Sequence, residues 1–312
     1  MPGFPGVDVE CMDNIMSQTL ILDGGMGREL KRIGAPFQQP EWSALALLEG
    51  PHFVEQAHDA FVSAGARVIT TNSYAVVPFH IGQQRFEQHG ERLAALAGEL
   101  ARRSADKAAQ PVTVAGSLPP ALGSYRPDLF NEADSLAIHR VLIAGLAPYV
   151  DVWLAETQSS LAEVRAVRQA LGEQDKPLWL SFTLQDEDTD GVARLRSGET
   201  VGEAVVEAIR LGAAAVLFNC SQPEVMEAAL DAANGVLQQQ GAQLQLGVYA
   251  NAFPPTPKDA KANATLDEIR ADLTPQNYLG WAERWVGKGA GIVGGCCGIT
   301  PEHIAELSKS LG

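Results

Sequence analysis

Eight short apolar runs punctuate this chain, and each ends in a cluster of small or polar residues. They are LILDGG (20–25), RVITTNSY (67–74), PVTVAGSL (111–118), DVWLAET (151–157), PLWLSFTL (177–184), AAVLFNC (214–220), LQLGVYANA (244–252) and GIVGGCC (291–297). Most are almost continuously apolar rather than alternating, which is the pattern of parallel strands buried on both faces. Between them lie stretches with helical spacing, such as Phe86, Leu93, Leu96, Ala97 and Leu100, or Val225, Met226, Ala229 and Leu230. Helix starts are marked by capping boxes pairing Ser160 with Glu163, Thr200 with Glu203 and Ser221 with Glu224, and by Thr300 followed by Pro301. Eight strand–helix units favour a single α/β domain, a (β/α)8 TIM barrel, over a doubly wound sheet, although pattern alone does not establish closure. Such a barrel takes about 250 residues, so the 312 present accommodate one domain over residues 18–312. Residues 1–17, rich in Gly, Pro and Asp, read as an irregular arm.

Charge narrows the partners. Lys and Arg total 23 against 38 Asp and Glu, a formal net charge of -15, which argues against nucleic acid and anionic membranes and toward a small molecule. The chain contains no apolar run of about 18 residues and does not begin with a basic, apolar leader, so a cytoplasmic enzyme is expected. In a reducing compartment four cysteines are more plausibly free or metal-bound than paired. The proline-rich segment 251–276 after the seventh run reads equally as a lid or donor-binding loop over the catalytic mouth and as a solvated insertion.

The strongest chemical signal is GGCCG at 294–298, where glycines on both sides free the backbone to bring Cys296 and Cys297 toward one point. Cys220 ends another predicted strand, and barrel topology would carry it to the same rim. Three thiolates and an open fourth position are the donor set of a catalytic zinc site, and sulfur favours zinc over magnesium, calcium or manganese. The plain alternative is that each cysteine packs as a small hydrophobe, which is the expected fate of any one alone. Cys11, in the arm, has no partner in this scheme. The second signal is LDGGMG at 22–27, where Asp23 precedes exposed glycine amides. A carboxylate there can take a substrate ammonium while the amides of Gly24 and Gly25 take its carboxylate, and Glu156 can add a second acceptor. Either acid alone reads as readily as a helix cap or a surface charge.

Taken in order, LDGGMGREL (22–30), GARVITTNSY (65–74), VAGSLPP (114–120), LAETQSS (154–160), FNCSQPE (218–224) and GGCCGITPEHI (294–304) resemble the homocysteine S-methyltransferases over nearly the whole chain from about residue 18. That resemblance implies a (β/α)8 barrel with zinc on Cys220, Cys296 and Cys297, homocysteine bound by Asp23, Glu156, Gly24 and Gly25, and a substrate pocket extended by Asn72, Tyr74 and Asn251. Tyr74 falls where betaine-using relatives carry a tyrosine near the metal. Relatives that use S-methylmethionine commonly show a YPNSG-like segment where this chain has YANAFPP (249–255), keeping Asn251 and losing the proline and the Ser-Gly.

The reaction implied is zinc-dependent transfer of a methyl group from a small cationic donor, S-methylmethionine or S-adenosylmethionine first, to the homocysteine thiol, giving methionine. Zinc would lower the thiol pKa, and Tyr74, Phe253 or Trp281 would cradle the cationic methyl group or serve only as packing. The alternatives are a betaine- or other sulfonium-dependent thiol methyltransferase and a zinc hydrolase on the same barrel.

Overall fold

The computed structural model describes residues 19–186, 191–255 and 269–312. Its eight parallel strands are β1 (Leu20–Ile21), β2 (Val68–Thr70), β3 (Thr113–Leu118), β4 (Val152–Gln158), β5 (Leu178–Phe182), β6 (Ala215–Asn219), β7 (Gln245–Tyr249) and β8 (Ala290–Val293). Neighbours pair in chain order from β2 to β8, and β1 pairs with β8. A parallel bridge between Leu22 and Val68 closes the ring, with Asp23 N–H donating to Val68 O at 3.0 Å and Arg67 N–H to Ile21 O at 2.8 Å. The expected (β/α)8 barrel is therefore the observed one. Its helices are α1 (Met26–Arg32), α2 (Ala44–Glu49), α3 (Pro51–Ser63), α4 (Pro78–Ile81), α5 (Gln83–Lys107), α6 (Glu132–Leu146), α7 (Leu161–Leu171), α8 (Val201–Arg210), α9 (Met226–Gln240), α10 (Pro275–Gly287) and α11 (Pro301–Leu311).

Two cores explain the unbroken apolar runs. Leu154, Trp179, Leu217 and Ile292 fill the barrel interior, while Trp153, Leu180, Phe218 and Val293 pack outward against the helices. Both faces of each strand are buried, so alternation disappears. Each run overlaps a strand, and in most of them, such as those of β1, β2, β7 and β8, the last residues leave the ladder to form the loops of the mouth. Among the described residues no helix is long and apolar enough to cross a membrane.

The capping boxes at Ser160/Glu163 and Thr200/Glu203 form, and Thr300 caps α11 with Pro301 as its first residue. The box expected at Ser221/Glu224 does not. Ser221 Oγ instead accepts from Leu184 N–H at 2.7 Å inside the barrel wall, Glu224 pairs with Arg270 at 2.7 Å, and a 3-10 turn over Pro223–Val225 precedes α9. Burial of Ser221 decides this, since the β5 loop amide needs an acceptor there. The expected arm 1–17 with Cys11, and residues 256–268 of the expected loop 251–276, lie outside the described residues. Thr274 caps α10, so helix begins at Pro275, inside the stretch read as irregular.

Candidate metal centre

Cys220 follows β6 directly in the left-handed region, with φ of 51°. Cys296 and Cys297 sit in the loop after β8, which is laced to the β7 loop by Cys296 N–H to Ala250 O at 2.9 Å and Ala252 N–H to Cys297 O at 2.8 Å. Tyr278 of α10 donates to Gly294 O at 2.7 Å from behind. These ties bring three free thiols together: Cys220 Sγ lies 2.7 Å from Cys296 Sγ and 3.9 Å from Cys297 Sγ, and all three fall within 4.8 Å of one another. Among the described residues no histidine or carboxylate joins the group. A tetrahedral zinc bound at about 2.3 Å per sulfur spaces its sulfurs about 3.8 Å apart. The Cys220–Cys297 pair already has that spacing, and Cys296 would move back by about 1 Å to accept the ion. Three soft donors with no fourth suit a catalytic zinc better than a structural one. Without an ion, hydrogen bonds from Cys220 and Cys296 hold Cys297 well below the usual thiol range, while the same cluster raises Cys296.

Two buried carboxyls share this mouth. The register of β4 against β5 slips by one residue between Ala155 and Gln158, a bulge that contains Glu156 and leaves Thr157 with φ of 58°. Glu156 accepts from Ser117 Oγ, and burial pushes its carboxyl up to about 7. Asp23 accepts from Thr70 N–H at 2.7 Å and Thr70 Oγ1 at 3.2 Å. Desolvation, with a smaller contribution from Glu156, raises it to about 8. A cation placed beside either acid would favour its ionised form.

The glycines and amides divide differently from expectation. The Gly25 N–H donates to Ile299 O at 2.9 Å, so this amide is engaged within the fold. Gly25 is required for space: a Cβ there would meet Cys296 O at 2.7 Å and Gly298 N at 3.0 Å. The Gly24 amide has no acceptor among the described residues, and its own Cβ would meet Ile299 O at 2.5 Å. The Asn72 amide donates to Ser43 O at 3.0 Å, tying the β2 loop to the start of α2. Asn251 Oδ1 accepts from Phe253 N–H at 3.2 Å, and its backbone N–H reaches Ser221 O at 3.1 Å. These contacts make Asn72 and Asn251 loop anchors at the mouth.

Tyr74 lies near Cys220 of the cluster, its hydroxyl 2.5 Å from Ser124 Oγ and its ionisation raised by burial and then by Cys220. Phe253 already carries Arg28 over its ring at 5.2 Å, which fills the face expected for a cationic donor. Trp281 lies on α10 under Arg284, packed against the outer core. Three residues escaped the sequence reading. Tyr125, with φ of 63°, is half-buried beside all three sulfurs and stacked under Arg196 at 5.1 Å. Arg196 is paired with Asp186 at 2.9 Å, and Asp186 also takes Gln222 N–H at 3.0 Å, two residues beyond Cys220. Asn219 accepts from Thr157 N–H and Ser181 Oγ and points its amide toward Cys296 Sγ at 3.9 Å. Position in the loop after β3 was the one signal available for Tyr125, and position at the end of β6 for Asn219. Nothing local reveals their partners.

The sequence pattern described as homocysteine S-methyltransferase matches residues 20–311. The homocysteine S-methyltransferase of Escherichia coli (strain K12) is 31% identical, over 92% of this chain and 94% of that protein. A selenocysteine methyltransferase of Astragalus bisulcatus is 26% identical, over 93% of this chain and 92% of that one. The metallated form of the homocysteine methyltransferase MmuM from Escherichia coli superposes with a TM-score of 0.74 at 27% identity, covering 96% of this chain and 98% of that chain. With a matching pattern that spans all eight strands and the three clustered cysteines, this chain is an enzyme of the homocysteine S-methyltransferase family.

Proposed function

We propose that this enzyme transfers a methyl group from a small cationic donor, S-methylmethionine or S-adenosylmethionine, to the thiol of homocysteine, giving methionine. The observation that carries this reading is the convergence of three cysteine sulfurs within 4.8 Å at the mouth that also holds Asp23 and Glu156. Cys220, Cys296 and Cys297 would hold zinc, which when bound favours the thiolate form of a substrate thiol. The protein's own residues then fix the rest of the acceptor. Asp23 and Glu156 receive its ammonium, and the Gly24 amide faces its carboxylate. Tyr74 and Tyr125, beside the sulfurs, form the aromatic wall on which a cationic methyl group can rest.

In the transfer, a sulfur–carbon bond forms to the donor methyl as that carbon's bond to the donor sulfonium breaks. An anion and a cation become two neutral groups, and burial of the site favours this because water stabilises the separated charges more than the products. Three free thiols fit a reducing compartment, and we place the enzyme in the cytoplasm.

The test has two parts. Purified protein should retain about one zinc per chain, with Cys297→Ser losing most of it. Incubation with homocysteine and, separately, S-methylmethionine, S-adenosylmethionine, glycine betaine and trimethylsulfonium should yield methionine with one of the first two. Full zinc retention by Cys297→Ser sinks the ligand set, and methionine from none of the donors sinks the activity.

A further inference from the structure

Tyr249 ends β7 with its ring inside the barrel, in the same interior cluster as Leu217, Ile292 and Cys296. It is 4% exposed, and its hydroxyl is a buried oxygen that forms no well-aligned hydrogen bond, although Glu156 and Ser181 are close enough to act on it. Those two neighbours each hold another bond. Ser181 Oγ donates to Asn219 Oδ1 at 2.8 Å, and Glu156 takes the Ser117 hydroxyl. A buried, unpartnered hydroxyl costs about 1–3 kcal/mol, and a fold keeps such a group where something else is to complete it. Phenylalanine would fill the same space without that cost.

The neighbours identify what is missing. Glu156 acts electrostatically on Tyr249 and also on Asp23, so it neighbours both the Tyr249 hydroxyl and a second buried acid. Such a grouping suits a cation with several N–H donors, and a primary ammonium has three. Two carboxylates satisfy two of them.

We propose that Tyr249 Oη is the third acceptor for the ammonium of the amino-acid acceptor, alongside Asp23 and Glu156, and so selects acceptors that carry an α-amino group. This rests on reading the pocket as the homocysteine site. Tyr249 is then a positioning residue: it touches the anchored end of the substrate, several bonds from the reacting sulfur. In the free protein its hydroxyl is poorly satisfied, and in the complex it holds the ammonium.

The experiment compares zinc-loaded wild type, Tyr249→Phe, Asp23→Asn and Glu156→Gln by calorimetric titration with L-homocysteine and with 4-mercaptobutyrate, which keeps thiol and carboxylate and lacks the amine. Tyr249→Phe should weaken homocysteine about tenfold, leave 4-mercaptobutyrate within about twofold, and keep or raise Tm. A structural tyrosine would instead lower Tm and weaken both ligands alike, and that result overturns the proposal. Unchanged homocysteine affinity in Tyr249→Phe, with losses in Asp23→Asn and Glu156→Gln, also overturns it while leaving the homocysteine site standing. If neither acid variant weakens homocysteine, the site reading falls and the proposal with it.

Discussion

Asp23 and Glu156 are carboxyls kept where their charged forms are poorly solvated, and the consequence for binding can be signed. Burial raises Glu156 to about 7 and Asp23 to about 8 in the free protein. Below these values each carries a proton that an arriving ammonium must displace. Affinity for a zwitterionic amino acid should therefore climb as pH rises from 6 to 8 and level off above. The slope reaches about tenfold per pH unit where one proton is released. L-2-Aminobutyrate, which has no thiol, isolates this from any titration of sulfur. Its inhibition constant should follow that curve, and Glu156→Gln should remove the part centred near 7. An inhibition constant flat from pH 6 to 8 would falsify the ammonium role of the two acids.

At the scale of elements, the cysteine loop after β8 is positioned by close packing against the turn after β1. Gly25→Ala places a methyl group 2.7 Å from Cys296 O and 3.0 Å from Gly298 N, and backbone atoms cannot swing aside as a flexible side chain can. The loop must shift, at roughly 2 kcal/mol by the usual cost of overpacking. The variant should lower Tm and surrender zinc to a chelator at lower concentration than wild type. Wild-type zinc retention would show that the loop tolerates the methyl group. Much of this architecture is legible in the sequence because double-sided burial leaves strands as apolar runs, and because caps such as Ser160 and Thr200 act within four residues. The bulge that aims Glu156, the left-handed Tyr125 and the inward turn of Ser221 are not legible. Each depends on partners tens of residues away. The same limit applies to Asn72, Asn251 and Gly25: a matching motif marks the loop, and only packing decides whether an amide faces substrate or backbone.

The whole molecule balances two sets of buried titratable groups whose effects on stability have opposite sign. Asp23, Glu156 and Glu163 are all raised by burial, to about 8, 7 and 7. Their folded values exceed their unfolded ones, so their contribution is complete at low pH and is lost as pH rises through 7 to 8. His58 of α3 runs the other way. It is fully buried with neither ring nitrogen bonded, and desolvation, only partly opposed by Glu55, lowers it to about 4. Its contribution is complete above about 6.5, the unfolded value, and is lost as pH falls toward 4. Paired variants separate the two. The stability of Asp23→Asn relative to wild type should grow as pH rises from 4 to 8. His58→Leu removes a polar ring that has no partner, so it should gain about 1 kcal/mol at neutral pH. Relative to wild type it should then gain roughly 1.4 kcal/mol more for each pH unit between 6.5 and 4. Urea denaturation at pH 4.5, 5.5, 6.5 and 7.5 reads both differences. If His58→Leu and wild type run parallel below pH 6.5, the histidine is protonated in the folded barrel and finds a partner there.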